Sequence, residues 1–140
     1  MKKAYVVFVF VAVILVLFFA VVLGFKRVNI QDITSGNLIF TANDVTITAN
    51  LSTEDSEIIS DLFNNSWCSK DNPSCGFSED FQIILYCGGT QQVFYIAQDE
   101  CGIIYWKNQK RYFGLTNREN YKLRKLLITN YGCNCHIEDE

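Results

Sequence analysis

Residues 81–115 read FQIILYCGGTQQVFYIAQDECGIIYWKNQKRYFGL, and this stretch decides the fold. Four runs rich in β-branched and aromatic residues, Phe81 to Cys87, Gln92 to Gln98, Gly102 to Lys107 and Arg111 to Leu115, are separated by Gly88-Gly89, Asp99-Glu100 and Asn108-Gln109. Such short connections join neighbouring antiparallel strands, because a parallel crossover needs about a dozen residues or more. The stretch therefore predicts a four-stranded meander.

Upstream, Asn37 to Ala42 and Val45 to Leu51 read as two further strands around the turn dipeptide Asn43-Asp44. The second alternates, with Val45, Ile47, Ala49 and Leu51 on one face and Thr46, Thr48 and Asn50 on the other. Between the two strand groups, Ser52 is placed to cap a helix that opens with Glu54, Asp55 and Glu57 and carries Ile58, Ile59, Leu62 and Phe63 as one apolar stripe. Asn64 and Asn65 end it. Downstream, Thr116-Asn117-Arg118-Glu119 is a capping box, Leu123, Leu126, Leu127 and Tyr131 form the stripe behind it, and Gly132 is a C-terminal cap. The order strand, strand, helix, four strands, helix defines an α+β domain: an antiparallel sheet of about five or six strands with two helices on one face. Arg118, Lys122, Arg124 and Lys125 are expected on the solvated side of the last helix.

The N-terminal part is of another kind. The chain is 49% hydrophobic and 19% charged, and the excess of apolar residues lies in Ala4 to Phe25, which carries no charge and departs from the apolar set only at Gly24. As a helix this stretch rises about 33 Å, enough for a hydrocarbon core of about 30 Å. A cleaved signal peptide is the competing reading. Its apolar region would run about 7 to 15 residues and end in small residues, whereas this one is longer and closes on Lys26-Arg27. The expected partition is residues 1–3 in the cytoplasm, 4–25 through the lipid bilayer, 26–36 as a polar connector and 37–140 as an extracytoplasmic domain. Two basic side chains flank each end of the span, so orientation rests on the six cysteines, which all fall in the domain and are even in number, as in exported proteins. The net charge of −3 divides likewise: Lys2, Lys3, Lys26 and Arg27 form a collar, and the remaining eight basic residues face all fifteen acidic ones. A domain so acidic has no basic face for phosphates, and nucleic acid is excluded as a partner.

With the hairpin turn at Gly88-Gly89, strand register brings Cys101 opposite Gly76, one position from Cys75, and puts Cys87 at the far end. Cys75 with Cys101 is the preferred bond. Cys68, Cys87, Cys133 and Cys135 are left unassigned, available to tie the loop after the first helix and the hairpin tip to the tail. Cys133-Asn134-Cys135-His136 could form part of a soft-metal site or hold a redox pair. The preferred reading is two structural bonds to different partners, since joining Cys133 to Cys135 closes a small ring. His136 is the only histidine and lies beside Glu138-Asp139-Glu140, so no Ser-His-Asp or Cys-His arrangement forms. Acidic groups such as Asp80, Asp99 and Glu100 read as turn residues, and Gly88-Gly89 is a turn rather than a phosphate cradle. No catalytic residue and no cofactor are expected. Asn50-Leu51-Ser52 and Asn64-Asn65-Ser66 match the glycosylation pattern. Among the aromatic residues of the meander, Tyr105, Trp106 and Tyr112 are the candidate binding patch on the face away from the helices.

The order Pro73-Ser74-Cys75-Gly76-Phe77, then Asp99-Glu100-Cys101, then Tyr112-Phe113 with Thr116 and Glu119, resembles small exported domains of uncharacterised membrane-anchored proteins from Gram-positive bacteria. The likeness covers roughly residues 50–132. It implies a Cys75–Cys101 bridge and a cell-surface location, and lends no activity. The expected function is a membrane-anchored extracytoplasmic module that binds a protein or cell-surface ligand. Metal handling or thiol redox chemistry through Cys133, Cys135 and His136 is the alternative.

Overall fold

Asn43 and Asp44 adopt left-handed backbone, φ 51° and 62°, and Gly88 and Gly89 do the same, φ 52° and 80°. Two successive residues of positive φ make the tight turn whose twist matches the flanking strands, so each pair closes a hairpin, Ala42 against Val45 and Cys87 against Thr90. The computed structural model describes residues 2–24, 26–99 and 101–135, and within the first helix the side chains of 7–19. In chain order the elements are α1 (Lys2–Gly24), β1 (Lys26–Arg27), β2 (Ile33–Ala42), β3 (Val45–Leu51), α2 (Thr53–Phe63), β4 (Trp67–Cys68), β5 (Phe77–Cys87), β6 (Thr90–Ala97), β7 (Ile103–Trp106), a 3-10 turn at Lys107–Gln109, β8 (Arg111–Gly114) and α3 (Asn117–Tyr131). One antiparallel sheet runs β3-β2-β5-β6-β7-β8, and β1 pairs with β4 alongside it. The expected α+β order, the meander and both hairpins are present.

Both helices start where their caps place them. The Ser52 hydroxyl accepts from the Asp55 amide at 3.0 Å. Thr116 accepts from the Glu119 amide while the Glu119 carboxylate accepts from the Thr116 amide at 2.8 Å. Gly132, φ 66°, ends α3. Ile59 and Phe63 of α2 and Leu123 and Leu127 of α3 join Leu38, Phe40, Ile83, Leu85, Phe94, Ile96, Ile104 and Phe113 in one core, so the two helices cover one face. The fit is close at Gly36, where a Cβ would stand 2.8 Å from the Ser56 hydroxyl of α2.

Two expectations are corrected here. The stretch 26–36 is not a stand-off connector: Val28 and Ile30 are buried in the core, and β2 begins at Ile33 rather than Asn37. Asn64 holds this stretch by accepting from the Ile30 amide at 2.7 Å and donating to the Ile30 carbonyl at 3.1 Å, which takes up the side chain that the second glycosylation pattern offers. Arg124 is not on the solvated side of α3. It is 2% exposed and donates to the carbonyls of Ala97 at 3.0 Å and Asp99 at 2.8 Å, satisfying acceptors at and just beyond the end of β6. As for the N-terminus, no helix among the described residues is long and apolar enough to cross a membrane. The part of α1 with described side chains, 7–19, rises about 20 Å.

Candidate functional site

Strand register stacks the tyrosines of the meander on the face that the helices leave open. Tyr95 pairs with Tyr105, and Tyr105 with Tyr112. Side chains opposite one another on one sheet face touch, and the ring centroids lie 5.8 and 4.8 Å apart. Phe77 extends the row, 5.5 Å from Tyr112. The Tyr95 hydroxyl donates to Glu79 at 3.0 Å, and the Lys107 ammonium lies 5.2 Å from the Tyr95 ring centroid and 3.4 Å from the Glu79 carboxylate. Apart from Tyr95, the rings of this row are half-buried.

Trp106 does not belong to this patch. One residue beyond Tyr105, it points to the other face, 5% exposed, stacks on Phe94 at 5.7 Å and donates its indole N–H to Gln92 at 2.9 Å. The period of two along a strand separates Trp106 from Tyr105 and Tyr112.

The aromatic group that does join the site is Trp67. Ser69 and Tyr112 exchange backbone hydrogen bonds of 2.7 and 2.8 Å, which hold β4 and the loop after it along β8. This arrangement leaves Trp67 55% exposed, with the Arg27 guanidinium 5.0 Å from its ring centroid. Between Trp67, Pro73, Ile103 and Tyr112 lies a pocket of about 230 Å³, with Asp71 and Asn72 at its lip. The Asp71 carboxylate and amide are both engaged with the Ser69 hydroxyl, at 3.0 Å each, which fixes the lip. The arrangement can take a flat apolar group against two aromatic rings while offering carboxylate and amide groups at its edge. A lone tryptophan in the polar run Asn64-Asn65-Ser66-Trp67 was the sequence signal for this site.

The cysteines divide into two bonds and two thiols. Cys75 is bonded to Cys101, the preferred pair, although the hairpin register shifts between Phe77 and Gln82 and sets Gly76 beside Gln98 rather than opposite Cys101. Cys133 is bonded to Cys135, which corrects the expectation of different partners. Chain direction after Gly132 explains it: Cys133 is buried next to Phe40 and Phe81, at the end of β5 opposite Cys87. Six residues of strand, about 20 Å, separate those ends. Cys68 and Cys87 are free thiols. Burial raises the Cys68 pKa against the pull of Arg111 and Lys26, and burial together with the charge of Asp32 raises that of Cys87, so both stay protonated and weakly nucleophilic at neutral pH. His136 lies outside the described residues. The sulfurs of Cys75 and Cys101 and a carboxylate oxygen of Asp99 lie within 4.8 Å of one another, but sulfurs bonded to each other are not thiolate ligands.

These features define a class, a disulfide-bonded α+β domain with one covered and one open sheet face and an aromatic pocket at the edge. No protein-family model, curated protein or solved structure matches the chain.

Proposed function

We propose that this chain is a single-pass, membrane-anchored binding module. Residues 4–25 span the bilayer, the α+β domain stands on the extracytoplasmic side, and a protein or cell-surface ligand binds at Trp67, Tyr112 and the adjoining tyrosine row. The observation that carries the binding role is Trp67, a large ring left more than half exposed over a pocket whose lip is already ordered. Exposed aromatic rings in fixed surroundings supply contact area at little cost in side-chain entropy.

What supports the anchor is α1. Val7, Phe8, Phe10, Val16 and Phe18 are all strongly exposed, and the described side chains are apolar all round, a surface that suits lipid rather than water. The Cys75–Cys101 and Cys133–Cys135 bonds suit an oxidising compartment, and the resemblance to exported Gram-positive domains points the same way.

Two measurements test the reading. On intact cells, an impermeant maleimide is expected to label Glu57→Cys on the exposed side of α2; labelling only after lysis places the domain inside and ends the proposal. On immobilised glycans and surface-protein peptides, the full chain in nanodiscs is expected to show binding that Trp67→Ala reduces by at least about tenfold, about 1.4 kcal/mol. Binding that ignores Trp67→Ala assigns the ligand to another surface. The redox alternative rests on the Cys133–Cys135 bond, and catalysed thiol exchange that Cys135→Ser removes would favour it instead; the same bond leaves no thiolates there for a metal.

A further inference from the structure

The sheet has two edges, and they are treated differently. Along β8 the edge is covered, because Ser69 of the loop after β4 exchanges both backbone hydrogen bonds with Tyr112. Along β3 nothing among the described residues pairs with the outer edge. Its seven residues, Val45-Thr46-Ile47-Thr48-Ala49-Asn50-Leu51, include no charge and no proline, the usual guards of an open edge. Val45 is 60% and Ile47 38% exposed.

The tight turn at Asn43-Asp44 determines which backbone groups face outward. It makes Ala42 and Val45 a hydrogen-bonded pair, and alternation from there turns Val45, Ile47, Ala49 and Leu51 toward β2. Thr46, Thr48 and Asn50 therefore point their N–H and C=O groups away from the sheet. A two-fold axis at Thr48 sets Thr48 opposite Thr48 of a second copy and Thr46 opposite its Asn50, so all three outward residues find a hydrogen-bonding partner of the right spacing. Ile47 then lies opposite Ala49 and Val45 opposite Leu51, continuing the apolar row across the junction, with no like charges facing each other. We propose that β3 is an interface for a second copy of this chain, paired antiparallel about Thr48 into a continuous twelve-stranded sheet.

Area decides where this pairing operates. Seven residues of strand span about 24 Å, and at a sheet thickness of about 10 Å the junction covers roughly 240 Å² per copy against about 800 Å² per partner for a stable complex. Free copies pair weakly, and confinement of anchored copies to one bilayer supplies the missing effective concentration. A two-fold normal to the sheet leaves both N-termini at the same height along the axis, so both anchors can enter one membrane. The inference rests on the anchor proposed above for its strength, though not for its geometry.

The test uses the full chain in phosphatidylcholine vesicles, with Cys87→Ser removing the half-buried thiol. Under mild oxidation Thr48→Cys is expected to give covalent dimer, since hydrogen-bonded partners lie about 5.5 Å apart at Cα, inside the range a disulfide bridges. Thr46→Cys and Asn50→Cys, each about 14 Å from its own copy, are expected to give several-fold less dimer alone and to recover it when mixed. Equal cross-linking at all three positions, or none at Thr48→Cys, overturns the proposal. Thr48→Lys, at an exposed site, is expected to abolish energy transfer between donor- and acceptor-labelled copies, and undiminished transfer overturns it too. Flotation of the same vesicles reads the anchor separately. If the chain does not float, the anchor fails, and the same set of cysteine variants at high protein concentration in solution decides the strand pairing by its position dependence.

Discussion

On the covered face of the sheet, Phe63 of α2 meets Phe94 and Phe113 at 5.0 and 5.3 Å between ring centroids, all three rings almost wholly buried. One residue along the same strands, on the open face, Tyr95, Tyr105 and Tyr112 stack at similar distances, with Tyr105 and Tyr112 only half-buried. The contrast lies in what terminates each ring. Phenylalanine leaves nothing to be hydrated and suits a face that helices seal. Tyrosine covers the sheet with its ring and keeps a hydroxyl for water or a partner. The two rows teach that a sheet of this size spends one face on cohesion and can leave the other for contact, so substitutions on the two faces should fall into different ranges.

The largest effect is expected from Phe63→Ala, which empties a fully buried site between two rings and should cost about 3–5 kcal/mol in a urea titration. A loss under about 1.5 kcal/mol would mean that α2 settles into the space and that the covered face is less tightly packed than the ring distances imply. Next comes Arg124→Met, which keeps the apolar stem but leaves the Ala97 and Asp99 carbonyls without their guanidinium donor, at about 2–3 kcal/mol. Because the bonds anchor the turn that carries Cys101, limited proteolysis near residue 99 should accelerate in the same variant.

Most of the covered face was legible in the sequence. Period-two runs, two-residue turns and capping residues each act over a few positions, so Ser52, Thr116, Glu119, Gly132 and the Gly88-Gly89 turn declared themselves locally. Apart from the Cys75–Cys101 bond, contacts made across the chain were not legible. Nothing next to Arg124 marks it as the donor for two carbonyls more than twenty residues away, and its neighbours Lys122 and Lys125 share its charge without its burial. The candidate site shows the same division. Tyr105 and Tyr112 follow from strand alternation, and the same alternation, counted from a known strand face, would have removed Trp106. Trp67 is marked in the sequence only by its polar neighbours, and what brings it beside Tyr112 is the Ser69–Tyr112 bridge, a pairing of two residues far apart in sequence that local pattern does not encode.

On the open face, Tyr105→Ala is expected to cost only about 0.5–1.5 kcal/mol, since its ring is already half in water and gives up chiefly its contacts with Tyr95 and Tyr112. If thermal or urea unfolding shows a loss equal to that of Phe63→Ala, the division between a cohesive and a contact face fails.

The smallest expected effect concerns the clasp between the two helices on the covered side. Tyr131 and Asn130 of α3 donate to the Asp55 carboxylate of α2, and the Tyr131 hydroxyl also accepts from the Ser52 amide. Burial works to raise the Asp55 pKa, but the hydrogen bonds from Tyr131, Ser52 and Asn130 outweigh it and leave the pKa below the ordinary carboxylate value. Burial and the bond to Asp55 raise that of Tyr131. A lowered carboxylate pKa contributes stability that is complete above the unfolded value, about 3.9, and is lost as pH falls through the folded one. A raised tyrosine pKa contributes stability that is complete below about 10 and is lost as pH climbs through the folded value. The difference in Tm between the wild type and Asp55→Asn should therefore hold level from about pH 5 to pH 9 and shrink below about pH 4. A difference that persists unchanged into acid would show that Asp55 serves α2 and α3 by shape alone. The clasp would then add to the covered face nothing that ionisation controls.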